Sequence, residues 1–163
     1  MSETKLNMRF HYIAFYSSLF LTITFFFTNC KKESAVTNII LYDKPLSTIQ
    51  SHLQGTWELH YGKGGICATC ITDYESNKII WQLIPSTRIK QIVDNKTIID
   101  TVITWKREIA FFINGDSTYT MNYHDRQGNI YSYVVDGIFN DTLKLHENYV
   151  ADAVFYYFTK IKE

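Results

Sequence analysis

The sequence predicts an all-β protein: an antiparallel up-and-down meander of eight or nine strands that closes into a barrel, preceded by one short helix. Three observations carry this. Apolar and polar residues alternate with a period of two through most of the chain after residue 55, the pattern of half-buried strands. Turn dipeptides punctuate the runs, Asp94-Asn95, Asn114-Gly115 and Asn140-Asp141, and Asn-Gly between alternating runs is the strongest short hairpin signal. No second helical pattern follows that would serve as a crossover, so consecutive strands are expected to pair antiparallel. An open meander of this size would leave two adhesive edges, which closure removes. An eight-stranded barrel is wide enough to be filled by side chains or to hold one small ligand.

At the N-terminus, Lys5 and Arg9 precede an uncharged stretch at 12–27, YIAFYSSLFLTITFFF. A basic start, a short apolar segment and then small or polar residues is the order of a secretory signal peptide. The stretch falls short of the about 20 apolar residues of a spanning helix, and Ser17, Ser18, Thr22 and Thr24 dilute it further. Met8 is an alternative start. The residues Phe27-Thr28-Asn29-Cys30 resemble the relaxed lipobox of bacteroidete lipoproteins, apolar three residues before the cysteine and small polar directly before it. That resemblance implies removal of residues 1–29, a diacylglyceryl group on the Cys30 thiol and a third acyl chain on its freed amine. Each buried methylene adds about 0.8 kcal/mol, so three chains anchor durably where one binds marginally. The expected location is the cell envelope, at the periplasmic or surface face of the outer membrane.

Residues 30–45 are expected to be the lipidated cysteine and a tether, polar at first and ending at Pro45, with a brief Ile39-Ile40-Leu41-Tyr42 that docks on the barrel. The domain proper is expected over 46–163. Leu46, Ile49 and Leu53 recur at helical spacing, and Ser47 with Gln50 offers a capping box for a helix of two turns. Strands follow in order. Trp57, Leu59 and Tyr61 share one face, as do Ile79, Trp81 and Leu83. Residues 88–93 break alternation, as a bulge would. In 97–105, Ile99, Thr101, Ile103 and Trp105 share a face, and Ile109, Phe111 and Ile113 begin the next hairpin. Tyr119, Met121 and Tyr123 alternate cleanly, and residues 125–129 turn the chain into 130–139. Strands at 142–146 and 153–161 complete the meander.

The formal net charge is zero. Setting aside Lys5, Arg9 and Glu3 leaves 14 of the 16 basic and 15 of the 16 acidic residues. Such a balance provides no long-range steering towards nucleic acid, which is excluded as a partner. Tyrosine and phenylalanine are abundant, 12 and 11. Tyrosine joins an apolar body to a polar tip and suits half-buried strands as well as cleft walls.

The short helix ahead of Gly55-Thr56-Trp57 resembles the G-x-W opening of the lipocalins and other calycins. Residues 46–162 are similar to bacterial lipoproteins with a lipocalin-like domain. The landmarks are Gly55-Thr56-Trp57-Glu58-Leu59, Gly64-Gly65, Gly115-Asp116-Ser117-Thr118-Tyr119, Asn140-Asp141-Thr142-Leu143 and Tyr156-Tyr157-Phe158-Thr159-Lys160-Ile161. The resemblance implies that Trp57 closes the barrel floor with a basic residue stacked on it. Lys160 or Lys162 stands where that family usually has arginine. It implies a fold and a location, and no settled activity.

The candidate chemistry is sparse. Cys67 and Cys70 lie in a glycine-rich loop after the first strand, and two cysteines in an exported protein usually pair. So small a ring adds about 2 kcal/mol at most and mainly stiffens the loop. A thioredoxin-type redox pair would sit at a helix N-terminus in a βαβ unit, which the pattern lacks. Zinc would need two further ligands, for which His52, His60 and Asp73 are the nearby residues. The glycines lack the strand-to-helix context of a phosphate loop. His52, His60, His124 and His146 are dispersed, and His60 and His146 alternate with apolar neighbours, which reads as solvent-facing. Asp100 and Asp136 read as outward residues of their strands. No hydrolase or metalloprotease motif occurs, and nothing indicates a cofactor.

These readings favour binding over catalysis. The first expectation is a ligand-binding barrel for a small apolar or amphipathic molecule. Tyr119, Met121, Tyr123, Tyr131 and Tyr133 form its wall if they face inward. The second is a structural, interaction or inhibitor-like envelope protein whose barrel those rings fill and which meets a protein partner. An enzyme ranks last.

Overall fold

The computed structural model describes residues 36–74, 76–84, 87–110, 112, 116–148 and 152–162. The signal peptide, Cys30 and the Asn114-Gly115 turn lie outside them, as do Phe111 and Ile113. The alternating runs form strands β1 (Asn38–Ile40), β2 (Gly55–Gly64), β3 (Ile71–Asp73), β4 (Ile79–Leu83), β5 (Arg88–Val93), β6 (Lys96–Val102), β7 (Thr104–Ile109), β8 (Ser117–His124), β9 (Ile130–Phe139), β10 (Thr142–Glu147) and β11 (Val154–Lys160). One helix, α1 (Leu46–Leu53), precedes β2.

Nine strands make one curled antiparallel sheet in the order β6-β5-β4-β2-β11-β10-β9-β8-β7, with β3 on β2 and β1 on β9. The first long strand pairs with the last, as a cyclic meander requires. The result is the expected all-β, lipocalin-like architecture, a half-barrel whose two edge strands are consecutive in the chain. Strand β6 bonds β5, and after Ile103 the same run continues as β7 and bonds β8. Alternation survives this bend: Ile99 and Ile103 are buried, while Asp100, Val102 and Thr104 are exposed. The expected single strand at 97–105 is therefore two. The Ile103 N–H leaves both ladders and donates to the Thr87 carbonyl.

The turn chemistry acts as its residue types dictate. Asp94 and Asn95 have φ of 47° and 64°, and Asn140 and Asp141 of 51° and 60°, the paired positive angles that match strand twist. The register shift between Gln91 and Ile92 is the irregularity expected in 88–93. Helix α1 spans the expected residues but is capped differently. Pro45 holds the N-cap position, no side chain caps the helix, and Ser47 lies inside it. The Pro45 carbonyl accepts from Thr48 and Ile49, and the fixed proline φ suits the entry. Residues 38–40 join the sheet as β1, and the Leu41 N–H donates to the Asp136 carbonyl. Ile39 pairs with Ile138, and Leu41 is fully buried. Gly137 permits this docking, because a Cβ there would collide with the Ile39 carbonyl.

Candidate functional site

Packing on the inner face of the sheet is continuous. Met121, Tyr123 and Tyr133 all point inward, with exposures of 0%, 2% and 6%. Trp81 is the hub, met edge-on by Tyr133 at 5.4 Å and Tyr123 at 6.5 Å and tilted against Phe158 at 4.8 Å. Tyr131 stacks on Tyr123 at 5.1 Å and bonds Asp125 in the β8–β9 turn, and half-buried Tyr119 lies under Arg107. Around Trp81 these rings pack against one another and occupy the space between the strands. Their polar tips are provided for: Gln91 Nε2 donates to the Tyr123 hydroxyl at 2.7 Å. Burial pushes the Tyr123 and Tyr133 hydroxyls well above the ordinary tyrosine range.

At the barrel floor Trp57 is almost fully buried, and its indole N–H donates to the Leu53 carbonyl at 2.7 Å, tying α1 to β2. Lys160 pairs with Trp57 across β2 and β11 and holds its ammonium 5.3 Å from the ring centre. Gly55, at φ +130°, leaves room for the lysine stem. Cys67 and Cys70 are joined to each other in the exposed loop between β2 and β3. His52 bonds the Thr48 carbonyl within its own helix.

The outer face of β9, β10 and β11 carries a different assembly. Leu143 and Leu145 face the core, so Lys144 and His146 face out. Strand β9 holds one extra residue here: Lys144 pairs with Gly137 but Leu145 with Val135, which leaves Asp136 in a bulge. Bulges re-aim side chains, and this one sets Asp136 beside both cations. His146 Nδ1 lies 2.7 Å from Asp136 Oδ1, and Lys144 Nζ lies 3.3 Å from Asp136 Oδ2. A carboxylate only accepts, so the ring proton sits on Nδ1. The Lys144 ammonium also lies 4.4 Å from the centre of the Phe155 ring.

His146 was expected at a solvent-facing position, and it is 1% exposed. It points outward from the barrel but is covered by Phe155 at 5.2 Å and by Phe112, from the connection between β7 and β8, at 5.7 Å. Asp136, also expected outward, is likewise buried, whereas Asp100 is paired with Arg88 at 2.8 Å on the surface. Next to the dyad on the same face, Ser132 and Asn148 are buried and joined through their backbones. Among the described residues, Ser132 Oγ, His146 Nε2 and both amide atoms of Asn148 have no hydrogen-bond partner, and Asp136 Oδ2 has its ion pair with Lys144 alone. Buried polar atoms are rarely left so, and such atoms mark places where something else supplies the partner.

The dyad opens on a pocket of about 420 Å³ lined by Ile40, Tyr42, Phe112, Phe139 and Phe155 around Asp136, Lys144 and His146. That volume lies within the about 300–1,000 Å³ of small-molecule sites, as does an apolar wall around a few convergent polar groups. A carboxylate-held imidazole suits a general base as well as a ligand anchor, but Ser132 Oγ does not bond His146 Nε2. The sequence signal for this site was the Asp136-Gly137 pair inside an apolar strand, since glycine in a strand marks a bulge or a close backbone approach. No family model, curated protein or solved structure matches this chain.

Proposed function

We propose that this chain is a lipid-anchored envelope protein whose filled barrel is the scaffold for a small-molecule site on the outer face of β9, β10 and β11. Anchoring rests on the sequence alone, on the order of basic start, apolar stretch and Cys30. The single observation behind the binding part is His146, buried, oriented by Asp136 and left with an unpartnered Nε2 at an aromatic pocket. The interior is a poor alternative, because a ligand there would have to displace the rings around Trp81. The small apolar or amphipathic ligand expected from the sequence is thus assigned to the outer pocket. The packed interior equally favours the second reading, an interaction protein that binds no small molecule.

Two measurements test this. Cys30→Ser should release the protein from membrane fractions or leave its precursor unprocessed, and a mutant that is processed after Asn29 yet stays membrane-bound would refute the lipid anchor. Native mass spectrometry of the mature protein from its own host should show a ligand-sized adduct that Phe155→Ala removes. An adduct-free wild type that co-purifies with a stoichiometric protein favours the interaction reading.

A further inference from the structure

We infer that the outer pocket takes a monoanionic amphiphile, a carboxylate on a short aromatic or aliphatic body, with its head beside Lys144 and the His146 ring and with proton uptake on His146. This rests on the pocket being the binding site. The body would lie against Phe112, Phe139 and Phe155, which form the apolar wall.

The charge count decides the head group. Asp136 and Lys144 compensate each other at 3.3 Å, so an anion entering beside a neutral His146 meets a site of zero net charge. Protonating the ring places a positive charge and a second N–H at Nε2, supported through Nδ1 by Asp136. By itself that N–H would be buried without an acceptor, an unfavourable state. A ligand carboxylate supplies the acceptor and the counter-charge together. Anion binding and ring protonation therefore favour one another, and the coupling is reciprocal. A cation is disfavoured because Lys144 already occupies the position over Phe155 and beside Asp136.

Among the described residues, four titratable or charged groups lie around this ring. Three are Asp136 from β9, Lys144 from β10 and Tyr42 from the segment after β1. The fourth, Tyr157 of β11, stands across from Lys144 and feels Asp136. Among the described residues, His146 is the one histidine at the pocket. Binding that takes up one proton weakens as pH rises, by up to about tenfold per unit.

The test uses the mature protein in detergent micelles, with empty micelles as the blank. Titration calorimetry compares 3-phenylpropionate, 3-phenylpropanol and 3-phenylpropylammonium, in two buffers of different ionisation heat. The expected result is a preference for the carboxylate that grows towards low pH, with about one proton taken up per molecule bound. Lys144→Met should lower carboxylate affinity at least about tenfold while leaving the alcohol unchanged, and His146→Gln should abolish proton uptake. If His146→Gln does not fold, wild-type proton uptake alone decides the point. Equal affinity for carboxylate and alcohol, or preference for the ammonium, overturns the anionic head while the pocket remains a binding site. Failure of all three probes to bind overturns both.

Discussion

Along strand β9 the inner residues Tyr133 and Val135 belong to the aromatic and aliphatic core, whereas the outer residues Ser132 and Asp136 lie beside the polar side chains of Asn148 and His146. Both faces are buried, and alternate residues of one strand supply them. On the inner face Trp81, Tyr123, Tyr131, Tyr133, Tyr156 and Phe158 meet ring against ring, and the Tyr123 hydroxyl has its donor. On the outer face four side-chain atoms of Ser132, His146 and Asn148 have no partner among the described residues. A buried surface that satisfies its own atoms is a core. A buried surface that does not is incomplete.

The strongest way to break this comparison is at the inner face. Trp57→Ala removes an almost fully buried indole and its bond to Leu53, and should cost about 3–5 kcal/mol. Denaturant midpoints at equal m-value measure it, and a loss below about 1 kcal/mol would mean that the floor is not packed.

At the outer face, Asp136→Ala deprives the His146 ring of its acceptor and should cost about 1–3 kcal/mol. His146→Leu leaves Asp136 with Lys144 alone. The double variant should cost less than the two singles together, with a coupling of about 0.5–3 kcal/mol. Strict additivity in denaturant unfolding would show that the dyad is not a unit.

Alkali tests the inner face through its most deeply buried tyrosines. Tyr123 and Tyr133 keep their protons in the folded state above the pH at which the unfolded chain releases them, chiefly because burial penalises the charged form. The unfolded state then binds fewer protons, so stability is full below about pH 10 and falls as pH rises further. Each such tyrosine contributes a slope of about 1.4 kcal/mol per pH unit. Tyrosinate absorbance that rises before unfolding, for the full tyrosine complement, would contradict the closed packing.

The finest comparison is between two hydroxyls. Tyr123→Phe strands Gln91 Nε2 and should cost about 1–3 kcal/mol, whereas Ser132→Ala deletes an unpartnered group and should be neutral or stabilising. If both substitutions cost the same, Ser132 has a partner and the outer face is more complete than its geometry indicates.

Much of the fold was legible in the sequence because its determinants are local. Period-two alternation put Trp57, Trp81, Met121 and Tyr133 on one face. Asp94-Asn95 and Asn140-Asp141 turned the chain where two left-handed residues in succession were needed. The helix at 46–53 followed from apolar spacing, although its cap was misread because Pro45 supplies the entry without a side-chain bond. The residues expected to line a cavity do point inward, but whether they wall a space or fill it is a matter of volume shared by strands far apart in sequence.

The outer site was beyond reach for the same reason. Alternation places Asp136 and His146 correctly outside the barrel, and an outward residue is ordinarily solvated. Only the bulge at Asp136, the docking of β1 against Gly137 and the fold-back of Phe112 turn that surface into a buried one. Sequence period therefore determined which face of each strand these residues occupy. Tertiary structure decided which face was dry and whether its polar atoms found partners, because burial and hydrogen bonding depend on neighbours that chain order does not specify.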